Sequence, residues 1–177
     1  DETDVRVFLE LDQLYKKLGV APETRLANYE SHSGMLRQRD DVMLEYVTLL
    51  NQAGNYQKAY EVIMSHTFRP WEGAEGRIPV QYKIALAQMA RKKMEDGAYE
   101  EAEALLQEAL IYPENLGEGR LEGTKDNHIH YYLGMVQKAL GKAEQACESF
   151  RSAELGADEV AGVMYYYDQP ADMILYK

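Results

Sequence analysis

The side chains of this 177-residue chain whose types suit chemistry are four histidines, one cysteine and thirty carboxylates, and their spacing argues against most of what they could do. His128 and His130 lie two apart. Metal ligands on one helical face need a spacing of three or four, so these two point in different directions. His32 and His66 stand apart from them, no HExxH pattern occurs, and neither a metal nor a cofactor is expected. A single cysteine, Cys147, excludes an internal disulfide and any multi-cysteine metal site. Between Ala146 and Phe150 it reads as a small buried hydrophobe. No serine has G-x-S-x-G surroundings. Gly73-x-x-Gly76 and Gly117-x-Gly119 lack the lysine and the preceding strand of a phosphate loop. The acids are evenly spread, and the pair Glu100-Glu101 suits a first helical turn, where the helix dipole favours it. A non-enzyme is the expectation.

Binding chemistry is better represented. Two loops share a proline, four residues and then Glu-Gly-Arg: Pro70-Trp71-Glu72-Gly73-Ala74-Glu75-Gly76-Arg77 and Pro113-Glu114-Asn115-Leu116-Gly117-Glu118-Gly119-Arg120, offset by 43. Trp71 beside Arg77 is an anchor type for docking a neighbouring domain or a ligand. The alternative is internal: Trp71 covers the end of a helix pair, while Glu75 and Glu118 cap amides or pair with Arg77 and Arg120. The loops are expected to repeat along with the helices they join.

The elements that must position these residues are helices. Gly54-Asn55-Tyr56-Gln57-Lys58-Ala59 with Ile63, Gly97-Ala98-Tyr99-Glu100-Glu101-Ala102 with Leu106, and Gly141-Lys142-Ala143-Glu144-Gln145-Ala146 with Phe150 align at offsets of 43 and 44. Glycine closes one helix in a left-handed turn, alanine lets two helices approach, and the residue four further on fills the groove. Upstream, Met43, Tyr46, Val47 and Leu50, then Leu86, Met89 and Ala90, then Tyr132, Leu133 and Val136 keep helical spacing. Val7, Phe8, Leu11, Leu14, Tyr15 and Leu18 followed by Gly19 give a divergent first pair, with Pro22 opening its second helix. The fold class is all-α: a right-handed α-solenoid of antiparallel helix pairs with a period of 43–44. One domain spans 1–177, in units of about 3–37, 38–69, 78–113 and 127–156 and a partial unit at 169–177. Neither end shows the polar capping pair of a finished array, so a fragment of a longer protein is expected, with self-association through the uncapped ends.

Net charge of -11 repels nucleic acid and anionic membrane surfaces at long range. Arg91-Lys92-Lys93 is the one basic cluster, placed where a helix ends and cations are favoured. No apolar run approaches a membrane span and no basic-then-apolar leader opens the chain, so a cytoplasmic protein is expected.

Leu133-Gly134 followed by Ala146, Phe150 and Ala153 resembles the tetratricopeptide (TPR) pattern, over about residues 40–156; the period is about ten residues longer than the usual ~34 and the opening aromatic is missing. The resemblance implies a concave face lined by Leu44, Thr48 and Asn51, by Ala87, Arg91 and Met94, and by His128, Tyr131, Met135 and Lys138, suited to a peptide or a packed domain. More narrowly, Arg39-Asp40-Asp41, the Trp71 loop, Tyr112-Pro113 with Asn115-Leu116-Gly117-Glu118-Gly119, and Tyr166-Tyr167-Asp168-Gln169-Pro170 resemble the C-terminal TPR region of large uncharacterised bacterial proteins. The N-terminal part of that family resembles a galactose-mutarotase-like β-sandwich. This implies a non-catalytic protein–protein or interdomain scaffold, or alternatively an accessory module of a carbohydrate-binding or carbohydrate-processing protein. The partner would be a protein or peptide, including another domain of the same longer chain.

Overall fold

The computed structural model describes residues 4–69 and 71–154. Its regular elements are α1 (Val5–Lys17), α2 (Pro22–Ser31), α3 (Asp40–Gln52), α4 (Tyr56–Met64), α5 (Arg77–Glu95), α6 (Tyr99–Glu108), α7 (Asn127–Ala139) and α8 (Ala143–Glu154), with short 3-10 turns at Ser33–Met35 and Glu114–Leu116. Among the described residues there is no strand, and no helix is long and apolar enough to cross a membrane. The expected partial unit at 169–177 lies outside the described residues.

Local chemistry sets the helix ends. Asp4 caps α1, its carboxylate accepting from the amides of Arg6 at 2.9 Å and Val7 at 3.3 Å. Pro22 opens α2, Lys92 and Lys93 fall in the last turn of α5, and Glu100 and Glu101 in the first turn of α6. Gly19, Gly54, Gly97 and Gly141 take φ of 72°, 76°, 75° and 74°, so four helices end in the same left-handed bend. At Gly54 its amide donates to the Asn51 carbonyl at 3.1 Å and the next amide, of Asn55, to Leu50 at 2.8 Å; the other three repeat that pattern. The bend satisfies carbonyls that a helix end leaves open, and only glycine adopts it without Cβ strain.

Consecutive helices from α2 to α8 pack on one another, and α5 also packs on both α3 and α7. Val42 to Asn51 of α3 and Gln81 to Gln88 of α5 are consequently buried on every side. Ala59, Ala102 and Ala146 are buried, as are Ile63 and Leu106 four residues after the first two, which is the small-then-large pairing that close helix approach needs.

Two expectations are corrected, and the rotation of α1 adds a finding that the spacing left open. The two Glu-Gly-Arg loops differ: Gly76 is left-handed and Arg77 begins α5, whereas Gly119 is not left-handed and α7 starts only at Asn127. Cys147 is exposed, because Ala146 takes the inward position and the next residue turns about 100° away around the helix. In α1 the aliphatic residues Val7, Leu11, Leu14 and Leu18 face outward, and Phe8 and Asp12 face inward. The cause is a buried charge cluster. Arg25 grips Asp12 at 2.8 and 2.6 Å and also donates to Glu45 of α3 at 2.6 Å, while the Tyr29 hydroxyl donates to Asp12 at 2.9 Å. Burial, reinforced by the two carboxylates, pushes the Tyr29 phenol well above its ordinary range and keeps it a donor. A buried charge needs its partners, and this requirement fixes the rotation of α1.

The tightest approach is between α7 and α8, where a Cβ on Gly134 would lie 2.7–3.0 Å from three ring atoms of Phe150. Gly134→Ala is therefore expected to lower stability by about 1–3 kcal/mol in urea unfolding, despite a helix-propensity gain of about 1 kcal/mol. Adding Phe150→Leu should recover most of the loss.

Candidate interaction surface

Tyr131, Met135 and Lys138 follow one another at i, i+4 and i+7 along α7, so they share a face. All three are exposed, Tyr131 at 49% and Met135 at 43%. Side-chain packing holds the stripe in place. The Tyr131 ring lies 5.7 Å from that of Tyr132, at 67°, and 6.0 Å from that of Phe150 on α8. Arg91 of α5 sets its guanidinium 5.6 Å from the Tyr132 ring centre and donates to the Gln88 side chain at 3.3 Å. Half-buried Met94, one turn on, packs against the core. The result is an exposed tyrosine and methionine on one face of α7, with Lys138 at the end of that face and Arg91 against the neighbouring Tyr132.

The other residues expected on this face lie inside. Leu44, Thr48 and Asn51 are buried because α3 is enclosed by α2, α4 and α5, and Ala87 is buried because α5 is similarly enclosed. Asn51 joins α3 to α5, its side-chain amide donating to the Gln81 carbonyl at 3.0 Å and to the Gln81 side chain at 2.9 Å. His128 starts the α7 stripe but is also buried.

At the start of α7 lies a polar cluster that the residue spacing did not announce. Lys83, buried in α5, donates to the Tyr112 hydroxyl and to Asp126 at the start of α7, and Arg120 reaches the second Asp126 oxygen at 3.3 Å. A signal existed: Asp40, Lys83 and Asp126 sit 43 residues apart, at one register of the repeat. Asp40 works in the same way, holding His66 at 2.7 Å and the Arg69 amide at 2.9 Å. Charges on helices are usually solvated, so register alone did not reveal that these are inward.

The loop edge is occupied by structure. Glu118 accepts from the Gly76 amide at 2.9 and 3.1 Å, Glu75 accepts from the Gly73 amide at 2.9 Å, and Arg120 turns to Asp126 and to the Thr124 carbonyl. Arg77 is exposed. Asn115 ties the second loop to the end of α4, its side-chain amide donating to the carbonyls of Ile63 at 2.9 Å and His66 at 3.0 Å. Half-buried Trp71 packs against the core and walls a recess with Phe68, Ala74, Ile78, Leu116 and Glu118. The recess has a cavity volume of about 10 Å³, room for about one water and far below the roughly 300–1,000 Å³ of small-molecule sites. Burial raises the Glu118 carboxyl above its usual range; the Gly76 amide opposes that shift and Glu75 adds to it.

No family model matches the chain, and no solved structure matches it.

Burial holds the His128 imidazole down at about 4, with Asp126 opposing the shift and Lys83 adding to it. The unfolded chain therefore takes up this proton first as pH falls from about 6.5, and the folded state loses stability until about pH 4, by up to about 3 kcal/mol. Urea unfolding across that window should show a shallower pH slope for His128→Phe than for the wild type. An identical slope would show that His128 contributes nothing to it.

Proposed function

We propose that this chain is a non-catalytic interaction scaffold, a TPR-like right-handed stack of antiparallel helix pairs that holds a protein segment or a neighbouring domain of its own longer chain. The repeat of 43–44 residues supports the architecture, together with four matching glycine bends and the sequential packing of α2 to α8. Stacked pairs of this kind build extended surfaces from successive helices, which suits binding of elongated partners.

The observation that carries the functional reading is the exposed Tyr131–Met135–Lys138 stripe with Arg91 braced against Tyr132. Aromatic, methionine and arginine side chains are the types enriched where proteins bury surface against one another. Methionine adapts to irregular partners, and a half-exposed tyrosine offers a large contact area with few rotors to fix. The cations Lys138 and Arg91 favour an amphipathic segment with acidic residues at its edges.

A photo-crosslinking residue at Met135 should trap one discrete partner, or one discrete site on the longer chain, that the same residue at exposed Glu61 on α4 does not trap. Tyr131→Ala should weaken the purified interaction at least tenfold, with the helical circular dichroism spectrum unchanged. Equal labelling from Glu61, or undiminished affinity in Tyr131→Ala, would remove the stripe from the binding surface.

A further inference from the structure

A second surface stands on α1, remote in sequence from the α7 stripe. Val7, Leu11, Leu14 and Leu18 are 47, 41, 54 and 78% exposed, large values for three aliphatic residues of one helix and its C-cap leucine. Their spacing of four, three and four is that of a coiled-coil seam, and it extends about 16 Å along the helix. The stripe is held outward by Asp12, whose bonds to Arg25 and Tyr29 lock the opposite face of α1 into the core. An outward aliphatic seam at this spacing is a surface suited to meet another helix.

We infer that this seam pairs with the α1 seam of a second copy of the chain, in antiparallel orientation about a two-fold axis. Charge placement selects both the partner and the direction. Glu10 and Lys17 are exposed on the same flank of the seam, near its opposite ends. An antiparallel partner sets Val7 against Leu18 and Leu11 against Leu14 of the other copy, and the two-fold axis then brings Glu10 beside the other copy's Lys17 twice. A parallel pairing brings Glu10 opposite Tyr15 instead and leaves Lys17 without an acid. Glu10 is within reach of Arg6 at 3.0 Å, but that pair is fully on the surface and contributes little to hold Glu10 back. The local charge also permits approach: α1 and its cap expose Arg6 and Lys17 against Asp4 and Glu10, a charge-balanced face on a chain of net charge -11, while Lys16 turns to Glu45 of α3. Two such faces are spared the repulsion that the rest of the molecule exerts.

Sedimentation equilibrium of the full chain over a concentration series tests this, with circular dichroism as the check on folding. The wild type should show a reversible monomer–dimer equilibrium. Leu11→Glu with Leu14→Glu, both at exposed positions, should weaken association at least a hundredfold with helicity retained. Glu10→Lys and Lys17→Glu should each weaken it severalfold, and the double swap should restore it. A monomer at all concentrations would overturn the inference. So would a dimer indifferent to the leucine changes, or one in which the double swap is no better than either single change, since a seam that takes a different helix does not need this reciprocity.

Discussion

Close approach of helices is the constraint from which the rest of this structure follows. Ala59, Ala102 and Ala146 lie where adjacent helices touch, and the last contact exchanges the roles, with Gly134 small and Phe150 large. Dispersion and apolar burial reward such contact only when side chains interlock without voids, so small and large residues must alternate at the contact. The left-handed glycine bends place each helix to meet its predecessor in that register. Because the middle stretches of α3 and α5 are then covered on all sides, the charges and most polar groups there are answered inside, although Asn51 Oδ1 and Gln88 Nε2 find no hydrogen-bond partner. Glu45 is met by Arg25, Asn51 by Gln81, and Lys83 by Asp126 and Tyr112. Those pairs add little net stability over an apolar core, yet leaving one partner alone is costly, so they fix which way each helix turns.

The helices and their closures were readable because they depend on local chemistry. Pro22, Gly19, Gly54, Gly97 and Gly141 act within a few residues of themselves, and the alanine positions repeat. The rotation of α1 was not readable, since its most apolar face and its buried face are different faces. Only the long-range partners of Asp12, on α2, turn the helix around. The paired loops misled for a related reason. Gly76 and Gly119 share a motif, but the Gly76 amide meets Glu118 from the other loop, and no equivalent third loop receives Gly119 in the described residues. The expected binding face was legible only in part. Tyr131, Met135 and Lys138 are open, while Leu44, Thr48, Asn51 and Ala87 became core once neighbouring helices enclosed them.

The described residues thus carry two apolar stripes of different chemistry. The α7 stripe is aromatic and thioether-rich, adaptable in shape, and accompanied by cations. The α1 stripe is aliphatic, regularly spaced, and flanked by charges of both signs that complement their own two-fold image. A flexible surface suits varied or extended partners, and a regular seam suits a helix of matching pitch.

A seam of small residues underlies all of this, and equilibrium urea unfolding of Ala102→Leu against Ala104→Leu tests it most directly. Ala102 is fully buried at the helix contact and Ala104, two residues on in α6, is exposed. Overpacking at the first should cost about 1–3 kcal/mol or more, while the second should stay within about 0.5 kcal/mol of the wild type. Equal, near-zero effects at the two positions would contradict the claim that close helix approach organises this fold.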